Sequence, residues 1–133
     1  MSSHRAIAFD PAAEKYVSLA TYRRNGIAVA TPVWIAPHAG RHYVFSAGDA
    51  GKVKRIRANP EVRLAACNFR GELRSDWLHG RARVLTEPAA MEQARLALRA
   101  KYGLSMWFAD VGARLSGRMR RRAYIEIEMS TPP

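Results

Sequence analysis

The chain has 133 residues, 48% of them hydrophobic, with a formal net charge of +11 at pH 7. That length suits a single domain, residues 1–133, able to build its own core, and no apolar run reaches the roughly 18 residues of a membrane-spanning helix. Cys67 is the single cysteine, which excludes an internal disulfide and a cysteine-based zinc site. The charge attracts anions of several kinds. Arginine supplies 18 of the 22 basic residues in an alanine-rich chain, a usage that GC-rich coding favours, so charge alone does not establish a nucleic-acid partner. Residues 1–10 are polar and lack the apolar run of a signal peptide, and the expected location is cytoplasmic.

Asp10 followed by Pro11 predicts a short helix to about Tyr16, with Asp as cap and Pro in the first turn. Tyr16 to Tyr22 reads as a strand, and Arg24-Asn25-Gly26 as a hairpin turn of the primed type. Ile27 to Ala36 alternates as one strand: Ile27, Val29, Thr31, Val33 and Ile35 share one face, and Ala28, Ala30, Pro32 and Trp34 the other. Pro32 implies an edge or a bulge. After a loop of Pro37 to Arg41, His42 to Ser46 is a strand. Lys52 to Ala58 is a short helix with Val53 and Ile56 inward, ended by Asn59-Pro60. Strands follow at Glu61 to Phe69 and Ser75 to Thr86, separated by a turn at Arg70-Gly71. Pro88 opens a helix to about Tyr102, with Met91, Arg95, Leu98 and Tyr102 on one stripe. Ser105 to Leu115 is a second amphipathic helix carrying Trp107, Phe108, Val111 and Leu115. The last strand runs from Met119 to Met129, and the tail Ser130 to Pro133 is expected to fray. Consecutive strands with helices set apart predict an α+β fold built on a closed or nearly closed antiparallel barrel.

The chemistry concentrates at Tyr43 to Leu64. A strand ends in small polar residues, a glycine-containing loop follows, and a helix then carries Lys52, Lys54, Arg55 and Arg57 within two turns. Backbone N–H groups at a helix start favour anions, and arginine grips phosphate with paired hydrogen bonds. Two readings stay open on spacing alone, a phosphate site and a solvated basic helix face.

The segments YVSLATYRRNGIAVATPVWIA, YVFSAGDAGKVKRIRANPEVRLAAC and WLHGRARVL, in that order, resemble the pyridoxamine-phosphate-oxidase-like split barrels. The resemblance is closest to the deazaflavin-dependent branch, which uses coenzyme F420. It implies a homodimer with the cofactor in a groove at the interface and a small-molecule substrate. It further implies that the cofactor phosphate meets Lys52, Arg55 and Arg57, that Ser46 and Ala47 line the same pocket, and that Thr31, Pro32, Val33 and Trp34 face the flat ring. Trp34 and Trp77 then either wall the pocket or belong to the core. Arg23, Arg24 and Arg70 are candidates for contacts to the acidic tail of the deazaflavin. The chain ends in YIEIEMSTPP and lacks the arginine-containing segment that holds substrate in flavin oxidases of this type. That favours coenzyme F420, with flavin mononucleotide (FMN) as the alternative and a non-catalytic cofactor-binding protein as a third reading.

No catalytic residue is assigned, because the cofactor of such a protein carries the hydride chemistry. No metal site is expected: His4, His38, His42 and His79 are scattered, with His38 and His42 solvated and His79 structural. Cys67 reads as a small core residue. The helical pair between Met91 and Leu115 is expected to pack over the barrel rather than lie on a membrane, its cations and acids being mixed. The run Arg118 to Arg122 is expected to alternate along a solvated strand edge, so no nucleic-acid partner is assigned.

Overall fold

The computed structural model describes residues 9–130; residues 1–8, and residues 131–133 of the tail expected to fray, lie outside it. A 3-10 turn at Pro11–Ala13 leads into β1 (Tyr16–Tyr22), β2 (Ala28–Val33), β3 (Ile35–His38), β4 (Arg41–Ala47), α1 (Gly51–Ala58), β5 (Glu61–Cys67) and β6 (Leu78–Val84). Helices α2 (Pro88–Tyr102) and α3 (Leu104–Leu115), a second 3-10 turn at Arg118–Arg121 and β7 (Arg122–Met129) complete it. All seven strands form one antiparallel sheet in the order β2-β1-β5-β6-β7-β4-β3. Its two edges, β2 and β3, are separated in the chain by Trp34 alone, so the sheet must curl until its edges meet. The result is the expected α+β antiparallel half-barrel.

The inner face is one apolar core. Val17 and Leu19 of β1, Val33, Ile35, Val44, Leu64, Ile125 and Ile127 from the other strands, and Val53 and Ile56 of α1 all meet there. Helix α1 plugs one end with the two side chains the sequence assigns inward. Each fully buried leucine or isoleucine contributes about 2 kcal/mol. A second cluster, outside the sheet, packs α2 and α3 on β3, β4 and β7 through Tyr43, Leu98, Met106 and Tyr124.

Local chemistry explains the departures from the expected boundaries. The Asp10 carboxylate accepts from Ala12 N–H at 2.9 Å, as a cap should, but the helix stops after one turn because Tyr16 is already paired with Cys67. The expected strand Ile27 to Ala36 is two strands, broken at Trp34, and Pro32 lies on the edge strand β2 where its missing N–H costs nothing. The hairpin turn is not primed. Gly26 alone has positive φ, at 85°, and donates to the Arg23 carbonyl at 2.9 Å, which is a type I turn closed by a left-handed glycine. Strand β6 starts at Leu78 rather than Ser75, since the Ser75 hydroxyl takes the Ala66 N–H at 2.8 Å in place of a strand carbonyl. Strand β7 starts at Arg122 rather than Met119, because Arg118–Arg121 form a 3-10 turn. Helix α2 matches its expected limits, ending at Gly103 with φ 56°.

Two polar devices fasten the helical layer. Lys101 donates to the carbonyls of Glu14 at 2.5 Å, Ile35 at 2.6 Å and Pro11 at 3.3 Å, using all three ammonium protons. The second is a buried charge cluster. Asp110 of α3, 2% exposed, binds Arg122 of β7 at 2.7 Å and Arg95 of α2 at 3.2 Å. Arg95 also pairs with Glu92, and Arg122 stacks 4.6 Å from the Phe45 ring and donates to the Tyr124 hydroxyl at 3.2 Å. Arg122 is therefore not the solvated edge charge expected from sequence. Removing one partner strands the others in low dielectric. Asp110→Ala is expected to cost about 3–5 kcal/mol in a urea unfolding titration; a loss below about 1 kcal/mol would show that water serves the two arginines equally well.

Candidate cofactor corner

The turn between β4 and α1 is set by one close approach. Gly48 N–H donates to the Arg121 carbonyl at 2.5 Å, and a Cβ at Gly48 would run into that oxygen. Only glycine allows the loop to lie against the 3-10 turn ahead of β7. The loop then delivers Ala50 as the cap of α1. Ala50 has no side-chain acceptor, and the first turn contains no acidic residue. Val53 N–H bonds the Ala50 carbonyl at 3.1 Å, and the N–H groups of Gly51 and Lys52 have no backbone partner among the described residues.

Two cations crowd this open end. Arg55 donates from Nε to the Thr21 hydroxyl at 2.7 Å, and its terminal nitrogen lies 2.7 Å from where a Gly51 Cβ would stand. Its guanidinium is thus folded back over the first turn of α1. Lys52 is half-buried, and its pKa is lowered first by burial and then by the neighbouring charge of Arg55. Among the described residues neither cation has a carboxylate partner. A desolvated lysine beside an arginine at an uncapped helix start is complementary to a phosphate.

Ser46 and Ala47, at the end of β4, open from this corner into a cleft of about 540 Å³. Its lining includes Phe45, Phe108 and Gly112, the carboxylate of Asp49, and the arginines Arg118, Arg121 and Arg122. That volume is in the range of small-molecule sites.

The remaining expected site residues are dispersed. Arg57 faces away, into a second cleft with Arg41, Arg81 and Arg83. Thr31 and Val33 lie opposite Leu19 and Val17 on the inner face, and Val33 belongs to the core. Pro32 lies opposite Ser18 on the outer face and is exposed. Trp34 stacks on Tyr102 at 4.7 Å and meets Phe45 edge-on at 6.1 Å, so it serves the helical layer. Trp77 lies 5.2 Å from the Arg63 guanidinium, which Tyr22 flanks at 5.6 Å.

Sequence reasoning missed Arg118 and Arg121 as cleft residues and the sandwiched Arg63, whose Nε is buried without a partner among the described residues. The signal for the first two was the cluster of basic residues itself, misplaced on a strand. His42 is a further correction: it is half-buried rather than solvated, its Nδ1 has no partner among the described residues, and burial is the main cause lowering its pKa. Cys67 is buried, as a core residue, and burial raises its thiol pKa.

A curled antiparallel half-barrel plugged by a basic helix defines the split-barrel class. The model of the pyridoxamine 5'-phosphate oxidase family matches residues 4–131, and the chain belongs to that family. No curated protein matches it. Among solved structures it is similar to Rv2991 of Mycobacterium tuberculosis, with 17% identity over 98% of this chain and 87% of that one and a TM-score of 0.70. It is similar to a FAD-binding protein of Mesorhizobium loti, with 21% identity, 91% and 85% coverage and a TM-score of 0.65. It is also similar to HutZ, the haem storage protein of Vibrio cholerae, with 11% identity, 92% and 86% coverage and a TM-score of 0.66. At these identities the likeness is one of fold.

The Gly48 contact makes the corner testable without any ligand. Gly48→Ala is expected to lower stability by about 1–3 kcal/mol, through the clash and the lost hydrogen bond. Gly40→Ala is the control for generic loop strain, since a Cβ there meets nothing within 4 Å although its φ is 79°. Equal losses in the two variants would remove the close approach as the constraint.

Proposed function

We propose that the chain is one protomer of a homodimeric oxidoreductase that binds coenzyme F420 and passes a hydride between it and a small conjugated or unsaturated organic substrate. The observation that carries this reading is the Lys52–Arg55 pair, without a carboxylate partner among the described residues, at the uncapped start of α1. Family membership supports it, since the family is named for an oxidase.

A bound deazaflavin supplies the hydride chemistry. The residues of this chain bind and orient. Lys52 and Arg55 hold the phosphate, together with the free N–H groups of α1. Ser46 and Ala47 line the passage from the phosphate to the cleft, whose apolar wall at Phe45 and Phe108 excludes water. Arg118 and Arg121 meet further negative charge at the rim. A flavin is the competing cofactor, favoured by the FAD-binding description of the Mesorhizobium loti neighbour.

A fluorescence titration with coenzyme F420 and with FMN decides between them. Tighter binding of the deazaflavin is the expected result, and preference for FMN overturns the choice of cofactor. Lys52→Ala and Arg55→Ala are each expected to weaken the preferred cofactor by about 10- to 100-fold, the worth of a charge-assisted hydrogen bond. Unchanged affinity in both removes the corner as the phosphate site.

The pH dependence has a definite sign. Lys52 has a lowered pKa in the free protein, and a bound phosphate raises it. Below the lowered value the lysine is charged in both states and affinity is flat. Above it, up toward the ordinary 10.5, binding must take up a proton, so affinity falls by about tenfold per pH unit. Lys52→Arg, which stays charged, is expected to flatten the profile; an unaltered slope would place the titrating group elsewhere.

A further inference from the structure

We propose that α3 docks the protein on a membrane surface that carries anionic lipid headgroups, a role distinct from cofactor binding although Phe108, Arg118 and Arg121 of this face also line the cleft. Met106, Asp110 and Ala113 face the sheet. At 100° per residue, Leu104, Phe108, Val111 and Leu115 fall on the opposite side, with Trp107 beside them. Leu104 is 74% exposed, Phe108 65%, Leu115 85% and Trp107 42%. The apolar stripe that the sequence assigns to packing over the barrel therefore points away from it. An exposed apolar strip of this size on one helix marks an interaction surface.

The surrounding charge identifies the occupant. Residues 99–122 contain seven basic side chains and one acidic one. The acid is Asp110, which is buried and already paired. Arg99 shares a groove with Leu104 and Trp107; Arg114, Arg118 and Arg121 are exposed. None of these four arginines makes a salt bridge among the described residues. Apolar side chains in a line, an edge-on Trp107–Phe108 pair with centroids 5.0 Å apart, and unpaired arginines along the flanks match a helix lying in the headgroup region.

Two other occupants fit less well. A second copy related by a two-fold axis would press this arginine rim against an identical one, which is repulsive. A single-stranded nucleic acid would suit the arginines and aromatics, but the stripe ends in Leu104 and Leu115, which give bases no plane to stack on. Hydrocarbon accepts both leucines.

The test is flotation of the whole protein with vesicles of phosphatidylcholine, alone and mixed with phosphatidylglycerol. Binding is expected to the anionic vesicles and to weaken steeply with salt. Leu104→Ser combined with Leu115→Ser should weaken it by about tenfold or more, and Arg114→Gln or Arg118→Gln by about fivefold each. These side chains are exposed, and circular dichroism checks that the fold survives. Quenching of Trp107 by brominated lipid, lost in Trp107→Phe, should accompany binding. The proposal is overturned by no flotation with anionic vesicles, by equal flotation with neutral ones, or by unchanged binding of the double leucine variant. It is overturned equally by a sedimentation result in which Leu104→Ser and Leu115→Ser dissociate a dimer, since that assigns the face to a second copy.

Discussion

Val33 and Ile35 belong to opposite edges of a seven-stranded sheet, yet a single residue separates them. No flat sheet satisfies that constraint. The strands must curl until the two edges lie end to end, and the right-handed twist of antiparallel strands makes the curl accessible. Once the sheet is curled, the alternating apolar residues of all seven strands point at one another, and a small chain acquires a dense core. Helix α1 closes one end of that core. Trp34, at the joint, turns its ring outward, where Tyr102 and Phe45 receive it. The outer helical layer is thus seated on the point where the sheet closes.

The rotation of α3 follows from charge rather than hydrophobicity. Judged on apolar content alone, its Leu104–Trp107–Phe108–Leu115 side would be buried. Asp110 projects from the other side, and both Arg95 and Arg122 already lie beneath the helix, one from α2 and one from β7. Turning the apolar stripe inward would expose the aspartate, leave the buried Arg122 guanidinium without its carboxylate and leave Arg95 with Glu92 alone, at a cost of several kcal/mol. Met106 and Ala113, small or unbranched enough to pack beside the ion pair, supply the rest of that interface. The stripe is left outside as a consequence.

A similar economy governs the cofactor corner. A glycine, a loop carbonyl and an uncapped helix start place two cations where neither can find an acid among the described residues. In the free protein burial first, and then the neighbouring Arg55 charge, lowers the pKa of Lys52, and an anion placed there would offset both. The fold itself does not select the anion, since similar half-barrels include a haem storage protein and a FAD-binding protein.

The element types, the antiparallel barrel class, the inward residues of α1 and the limits of α2 were legible in the amino-acid order, because each depends on periodicity, caps and breakers within a few residues. So was the basic helix, since its lysines and arginines are adjacent in sequence. The family resemblance added Ser46 and Ala47, which do reach the cleft. What tertiary structure alone decided depends on contacts between distant residues. The split of one alternating run at Trp34 follows from closure of the sheet, and the separation of Arg57 from Lys52 and Arg55 from how α1 seats on the barrel end. The burial of Arg122 comes from Asp110, 12 residues away. The outward turn of the α3 stripe comes from that same ion pair. Periodicity states which residues of a helix share a side; the partners waiting on the sheet state which side faces in.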